Sequence, residues 1–317
     1  MAFSENVYIH IGPGHTGTTS LQESLFAEHS EINFFGKPYV NDRIKAFASS
    51  IHYSDGIDFD EAFAASVADQ DILPNLDPDK SNVISTEGFS SVAPTIYGLQ
   101  MADRSLIGQR LKKYFDDHGR IIISIHNQFS ALQSQYVNLS LALLKKRILP
   151  PNFERLLLDG HPQEYTFYFS HYDYLPLITF YERLFGKDNV IVLPLESLAE
   201  NTTNYAHRLC DFLNIEDIDQ AVSLLKVRRN ERHTTRAIAF ERMCTIFGFP
   251  ENVLAWPPLK KMGTGPVVAN WVKQGKRCDL NLSNQAREKI LKIYGANNAQ
   301  LEAKSGLTLS KWGYPIA

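Results

Sequence analysis

The stretch VYIHIGPGHTGTTSLQESL, residues 7 to 25, constrains the fold more than any other part of the chain. Val7 to Ile11 is a short apolar run that ends at a glycine turn, which predicts a buried parallel strand. The helix predicted to follow places Leu21 and Leu25 on one face. A strand, a glycine-rich loop and a helix in this order are typical of phosphate-binding units in α/β proteins.

Gly12 and Gly17 stand at the interval found in the phosphate-binding loop of nucleoside triphosphatases. Glycines let the backbone wrap closely around an anion, and the amides at the helix start supply the binding energy. The loop adds hydroxyl donors from Thr16, Thr18, Thr19 and Ser20. A triphosphate-binding loop would have lysine where Thr18 stands, so the sequence predicts a different anion. The alternative is a glycine-rich turn without a ligand.

Strands alternate with helices along the whole chain. This predicts a three-layer α/β/α fold in which a mainly parallel sheet is the central layer, like that of P-loop nucleoside triphosphatases. Further strands are predicted to end at Ser85, at Ile125 and at Leu193, and the site is expected at the carboxyl ends of the strands. We expect one domain over residues 1–317, with an insertion or lid at 145–172 and irregular loops at 240–282.

The composition is that of an ordinary soluble protein, with 44% hydrophobic and 21% charged residues. A net charge of −3 argues against a nucleic-acid binder, which usually carries a basic patch. No apolar run is long enough to predict a membrane span, and the N-terminus lacks the pattern of a signal peptide. Three widely spaced cysteines suggest neither a disulfide framework nor a zinc site. We therefore expect a reducing, cytoplasmic location.

The segment HTGTTSLQ resembles the 5′-phosphosulfate loop of sulfotransferases that use 3′-phosphoadenosine 5′-phosphosulfate (PAPS), whose usual form is Lys-Thr-Gly-Thr-Thr. The resemblance implies PAPS as co-substrate, adenosine 3′,5′-bisphosphate as product, and no metal. It puts His15 at the family's lysine, which neutralises charge on the bridging oxygen as the sulfate leaves; a protonated histidine could supply the same charge. The residues implied to hold the phosphosulfate are Gly14, His15, Thr16, Gly17, Thr18, Thr19 and Ser20.

The resemblance extends to a 3′-phosphate site, where the family has an arginine closing a strand and a serine eight residues on. His126 and Ser134 fall at that interval, although a polar strand end capped by Ser130 is the alternative. The basic stretch Lys226 to Arg232 resembles an element that folds over the nucleotide in bacterial members, which adds Arg228; a solvated helix face is equally compatible. For a second basic cluster, a solvent-exposed face is favoured; it comprises Lys273, Lys276 and Arg277.

Sulfuryl transfer to an alcohol needs a group that removes the hydroxyl proton. The segment Ser85-Thr86-Glu87-Gly88 closes a strand and resembles the Ser-Ser/Thr-Glu element of bacterial sulfotransferases. The resemblance implies Glu87 as the base, and we expect it in a partly buried cleft; the alternative is a surface or helix-capping glutamate. Pro38 stands near the place where glycosaminoglycan-modifying members carry a glutamate, and proline cannot act as a base.

The resemblance thus implies a sulfotransferase acting on a hydroxyl of a carbohydrate, lipid or small metabolite. The second hypothesis is a catalytically impaired nucleotide- or anion-binding protein on the same fold, motivated by the two histidines in place of lysine and arginine. A P-loop kinase ranks last. The segment Phe180 to Leu198 resembles a structural part of the family without chemistry of its own. The aromatic stretch Tyr165 to Tyr174 either lines an acceptor pocket or belongs to the core.

Overall fold

The structure is a computed structural model and describes residues 7–37, 39, 41–54, 56–90, 103–115, 119–150, 152–158, 169–227, 233–251 and 265–317. The chain divides into two compact units. The first comprises Met1–Asn127, Pro162–Asn230 and Tyr294–Ala317, and the second comprises Gln128–His161 and Glu231–Ile293. The single domain over residues 1–317 stays a prediction.

A five-stranded parallel sheet forms the centre of the first unit. The strands are β1 (Val7–Ile11), β2 (Ile32–Gly36), β3 (Ser81–Ser85), β4 (Gly119–Ile125) and β5 (Val190–Pro194). Their order in the sheet is β2-β3-β1-β4-β5. The first strand, β1, is therefore central, and the strands on its two sides, β3 and β4, come later in the chain. Such a crossing point opens a crevice at the carboxyl ends of the strands.

The helices follow the strands in the alternation that the sequence predicts. Numbered along the chain, they are α1 (Thr18–Ser20), α2 (Asp42–Tyr53), α3 (Glu61–Val67), α4 (Arg104–Phe115), α5 (Gln128–Lys145), α6 (Phe153–Leu158), α7 (Tyr174–Phe185), α8 (Leu195–Glu200), α9 (Thr202–Leu213), α10 (Ile218–Leu225), α11 (Thr235–Ile246), α12 (Gly265–Lys273) and α13 (Asn284–Ser305). α1 continues as a π-helical segment, Leu21–Phe26. Helices α5, α6, α11 and α12 belong to the second unit, and α13 contributes residues to both.

Short polar side chains fix where several helices begin. Each accepts a hydrogen bond from the amide three residues on, which satisfies a donor that the first helical turn leaves unpaired. The capping residues are Asn41 for α2, Asp60 for α3, Asn201 for α9 and Asp217 for α10.

A hydrophobic core cluster lies on one face of the sheet. Tyr8, Val83, Ile122 and Leu193 come from four neighbouring strands and pack against the segment Leu21–Phe26 and against α9 and α10. The strand residues that alternate with them point to the opposite face, and α7 packs against β4 and β5. This arrangement confirms the predicted α/β class and its parallel sheet. Strand β2 was not predicted.

The second unit contains regular structure where the sequence suggested irregular loops. Helices α11 and α12 occupy parts of the stretch 240–282, so the expectation of loops was wrong there. The hydroxyl of Thr234 accepts from the amide of Ala237 and starts α11, and Pro266 lies in the first turn of α12, where proline is tolerated. The predicted insertion at 145–172 contains α6. Among the described helices, none has the length and apolar character needed to cross a membrane.

Candidate functional site

The carboxyl edge of the sheet brings together the segments that follow its strands. The loop 12–17 follows β1, Glu87 follows β3, His126 follows β4 and Glu196 follows β5. Because β3 and β4 flank β1 in the sheet, their trailing residues stand on either side of the loop. Within the described part of the chain, the parallel topology is what brings these four segments to one edge.

The loop after β1 needs its glycines for space and for backbone conformation. A Cβ at Gly12 would lie 2.9 Å from the Thr16 hydroxyl and 3.1 Å from the Cβ of Ser124. Gly17 has φ +88° and His15 has φ +69°, so both residues adopt the left-handed conformation. The Thr16 hydroxyl donates 2.8 Å to the carbonyl of Pro13 and thereby closes the loop on itself.

Backbone amides at the start of the first helix are candidates for holding an anion. The first intrahelical bond runs from the amide of Leu21 to the carbonyl of Gly17, so the amides of Thr18 and Ser20 precede it. Gly17 caps the helix without a side-chain acceptor. Gly14, Thr16 and Thr18 are buried, whereas His15, Gly17, Thr19 and Ser20 are half-buried and reach the surface.

Glu87 lies next to this loop. The Thr18 hydroxyl donates a 2.6 Å hydrogen bond to Glu87 Oε1, across the pair of neighbouring strands β1 and β3. Glu87 is exposed, so the expectation that it would sit in a partly buried cleft was wrong. The reason is local: Glu87 opens the short 3₁₀ turn Glu87–Ser90, whose buried residues are Phe89 and Ser90.

His126 contacts the loop from the other side. Its ring atom Nδ1 lies 2.8 Å from the carbonyl oxygen of His15. The phenol of Tyr174 accepts from the amide of His126 at 3.2 Å and donates to its carbonyl at 2.7 Å, which fixes the backbone where β4 ends. His15 and His126, which sequence analysis assigned to separate phosphate sites, are therefore in contact through this hydrogen bond.

Glu196 is a residue whose place in the site sequence analysis missed. Its Oε1 accepts a 2.8 Å bond from the amide of Asn127 and lies 3.6 Å from His126 Nε2. Its Oε2 accepts a 2.9 Å bond from the phenol of Tyr314. Burial raises the pKa of Glu196, and the bonds from Asn127 and Tyr314 oppose that shift. The resemblance over Phe180 to Leu198 was the available signal, but it suggested structure only.

A second missed residue, His10, lies in β1 beneath the loop. Its ring bonds to the hydroxyl of Ser85 at 2.7 Å and to that of Ser124 at 2.8 Å, and Gln22 donates to Ser85 at 2.8 Å. Burial lowers the pKa of His10 to about 3, so the ring is neutral near pH 7. This network ties β3, β1 and β4 together directly under the candidate site.

The described tyrosines of the aromatic stretch belong to the core. Tyr172 and Tyr174 are fully buried, with exposed fractions of 1% and 0%. The phenol of Tyr172 donates 3.2 Å to the carbonyl of Gly14, which supports the loop from within the protein. Residues 165–168 lie outside the described part of the chain.

The remaining predicted residues lie in the second unit or outside the described part of the chain. Ser134 belongs to the second unit, where its hydroxyl donates 2.9 Å to the carbonyl of Ser130. Arg228 lies outside the described residues. The basic residues Lys273, Lys276 and Arg277 are exposed in the second unit. Across the described residues, no group of three or more His, Cys, Asp and Glu side chains is arranged to hold a metal ion.

These features define a class: an α/β protein with a P-loop-like glycine loop after the central strand of a parallel sheet. The structure is similar to that of a sulfotransferase from Alicyclobacillus acidocaldarius, with a TM-score of 0.55 and 14% identity, over 98% of this chain and 99% of that one. The chain therefore has the sulfotransferase fold. No protein-family model and no curated protein sequence matches the chain.

Two further solved sulfotransferases align more weakly. The sulfotransferase domain from the Curacin biosynthetic pathway has a TM-score of 0.40 and 12% identity, over 92% of this chain and 98% of that one. Mouse SULT7A1 complexed with PAP has a TM-score of 0.36 and 15% identity, over 76% of this chain and 66% of that one. At these TM-scores, we base no conclusion on either.

Proposed function

We propose that the protein is a PAPS-dependent sulfotransferase that moves a sulfuryl group to a hydroxyl of a carbohydrate, lipid or small metabolite. The observation that carries the proposal is the 2.6 Å hydrogen bond from Thr18, on the anion loop, to the carboxylate of Glu87. In a sulfotransferase fold, this contact sets a proton acceptor beside the loop that would hold the donor's sulfate.

The loop supplies binding and charge stabilisation in this proposal. Amides at the start of the first helix point along a dipole that carries about half a positive charge, and an oxyanion is stable there. Gly14 to Ser20 would hold the 5′-phosphosulfate. His15, half-buried at the loop's surface, would face the bridging oxygen, where negative charge grows as the bond to sulfur breaks.

The reaction exchanges one sulfur–oxygen bond for another. The acceptor oxygen attacks sulfur in line with the bridging oxygen, the bond between sulfur and that oxygen breaks, and adenosine 3′,5′-bisphosphate leaves. Glu87 takes the proton that the acceptor hydroxyl loses. Positioning and electrostatic stabilisation supply most of the rate, as they do in phosphoryl transfer.

The 3′-phosphate would be held at the end of β4. His126 stands there in contact with the loop, and the resemblance adds Ser134 and Arg228. We also propose a cytoplasmic protein with a small-molecule or carbohydrate acceptor, and a single domain with a lid at 145–172.

A second candidate function is nucleotide or anion binding without catalysis. It is favoured by the residues at the two positions where the resemblance expects lysine and arginine, because this chain has His15 and His126 there. In addition, the carboxylate of Glu196 lies 3.6 Å from His126. A kinase is less favoured because Thr18 stands where a P-loop lysine would, and His126 stands at a strand end where an aspartate would hold magnesium.

Thermal denaturation with added nucleotides separates these functions. We expect adenosine 3′,5′-bisphosphate to raise the Tm, more strongly at pH 6 than at pH 8 because histidines charge at lower pH. Adenosine 5′-phosphate, which lacks the 3′-phosphate, is the matched control and should shift the Tm less. A response to ATP with magnesium alone would support the kinase, and no response to any nucleotide would contradict the proposal. Turnover with PAPS then separates an enzyme from a binding protein.

A further inference from the structure

The hydrogen bonds of His126 fix the position of one ring proton. Nδ1 lies 2.8 Å from the carbonyl oxygen of His15, and a carbonyl oxygen can only accept. Nδ1 therefore carries a hydrogen. In a neutral imidazole, the other nitrogen, Nε2, would then carry a lone pair.

Nε2 faces an acceptor. Glu196 Oε1 lies 3.6 Å from it. The same carboxylate accepts from the Asn127 amide at 2.8 Å and from the Tyr314 phenol at 2.9 Å, and these two donors favour its ionised form. A lone pair on Nε2 would point at this anion, whereas a proton on Nε2 is attracted to it. The geometry is therefore that of a charged ring beside a carboxylate.

The surroundings preserve this attraction. The side chains of His126 and Glu196 are only 15% and 19% exposed, so water screens the pair weakly. Tyr174, Tyr314 and His15 are titratable residues that contact the pair. Burial raises the pKa of both tyrosines well above the ordinary value, so these phenols are neutral. His15 meets the ring of His126 through its backbone carbonyl.

We propose that Glu196 is a positioning residue that holds His126 as an imidazolium. A histidine would then present a lasting positive charge at the end of β4, where an arginine would otherwise be required. The charge on His126 follows from the contacts alone. Its use, recognition of the 3′-phosphate of the nucleotide, rests on the proposed function.

The C-terminal segment reinforces the pair. The amide nitrogen of the Asn127 side chain donates 3.0 Å to the carbonyl of Trp312, and Tyr314 bonds to Glu196. One turn further along α8, Glu200 bonds to Lys311 and accepts 2.6 Å from the Trp312 indole. Glu200 touches the same C-terminal segment but has no contact with His126, and this makes it the matched control.

The first test is an NMR titration of the histidine rings in wild-type protein, Glu196→Gln and Glu200→Gln, with His126→Asn to assign the resonances. In wild type, we expect His126 to keep imidazolium shifts at pH 7.5, with a midpoint above the 6.5 of a free histidine. Glu196→Gln should lower that midpoint by about one pH unit or more, and Glu200→Gln should leave it unchanged. A wild-type midpoint at or below 6.5 would overturn the proposal, even if Glu196→Gln does not fold.

The second test measures binding of adenosine 3′,5′-bisphosphate by calorimetry at pH 6 and pH 8. Glu196→Gln should weaken binding at pH 8 about tenfold more than at pH 6, because the uncharged ring loses a charged hydrogen bond. Equal losses at both pH values would show a merely structural role and overturn the assignment. If the titration shows an imidazolium but the wild-type protein does not bind the nucleotide, the His126–Glu196 pair stands and the proposed function fails.

Discussion

The hydroxyl of Thr18 and the carboxylate of Glu87 are joined by a 2.6 Å hydrogen bond, although 69 residues separate them in sequence. Thr18 begins the helix after β1, and Glu87 follows β3, the strand beside β1 in the sheet. The proposed anion loop and the proposed base are therefore in direct contact.

Replacing Glu87 by Gln tests the base. The amide oxygen can still accept from Thr18, so the loop should keep its shape while the proton acceptor is lost. We expect turnover with PAPS to fall by about 10²- to 10⁴-fold, with binding of adenosine 3′,5′-bisphosphate unchanged. Glu28→Gln, at an exposed position after the same helix, is the control. Retained turnover with intact nucleotide binding would remove Glu87 from this role.

Replacing Gly17 by Ala tests the loop conformation. Gly17 has φ +88°, and an added Cβ would lie 2.7 Å from Leu195 Cδ1. We expect a loss of about 1–2 kcal/mol in the free energy of unfolding, together with loss of the nucleotide-induced rise in Tm. Gly306→Ala is matched, because Gly306 has φ +70° and nothing within 4 Å of the added Cβ. It should cost no more stability than Gly17→Ala and leave the nucleotide response intact. Equal nucleotide responses in both variants would argue against a binding loop.

Buried histidines predict acid sensitivity. Burial lowers the pKa of His10 and His171 to about 3 and that of His52 to about 4. Below pH 6.5, the ordinary pKa of histidine, these rings are protonated in the unfolded chain but stay neutral in the folded protein. The free energy of unfolding is therefore highest above pH 6.5 and falls as the pH is lowered toward 4. By pH 5, each ring should cost about 2 kcal/mol in the free energy of unfolding.

Urea denaturation at pH 7.5 and pH 5 measures this loss. Asp173 and Glu196 oppose it, because burial raises the pKa of both carboxyls. Replacing one histidine separates its effect from that of the carboxyls. In His10→Gln, the difference in the free energy of unfolding between pH 7.5 and pH 5 should be smaller than in wild type by about 2 kcal/mol. An unchanged difference would mean that His10 is not held neutral.

Arg147 is expected to be essential for the stability of the second unit. Its guanidinium donates 2.9 Å to Glu241 and 2.6 Å to the carbonyl of Phe249, and the two charged side chains are 15% and 11% exposed. Arg147→Met should lower the free energy of unfolding by about 3 kcal/mol, because Glu241 would stay largely buried without its partner. Arg242→Met, at the exposed neighbouring position in α11, should change it by less than about 0.5 kcal/mol. Similar unfolding curves for both variants would contradict this.

Strands buried on both faces could be predicted from the sequence because they leave a continuous apolar signal. Ile121 to Ile125 is such a run and forms most of β4. Strand β2 lies at the sheet edge, where Asn33 and Phe34 are half-exposed, and that signal is missing. The start of α11 was also overlooked, although Thr234 is an ordinary capping residue.

The candidate site could be predicted only where it consists of residues that are consecutive in the sequence. The loop around His15 and Gly17 is contiguous, and its glycine interval is visible in the sequence. Glu196 becomes a site residue through contacts with His126 and Tyr314, 70 and 118 positions away. No local pattern encodes such contacts. Only the order of the strands brings the ends of β4 and β5 together.

His10 also has a consequence for how the chain assembles. Its ring needs a hydroxyl on each side, and Ser85 and Ser124 are the residues that provide them. If β4 paired one position out of place, Ile123 or Ile125 would face the imidazole, and a shift of β3 that put Ile84 there would also leave a polar ring atom buried and unbonded. A single histidine thus penalises misaligned pairing on both sides of the central strand, and it selects the one alignment that also builds the anion loop.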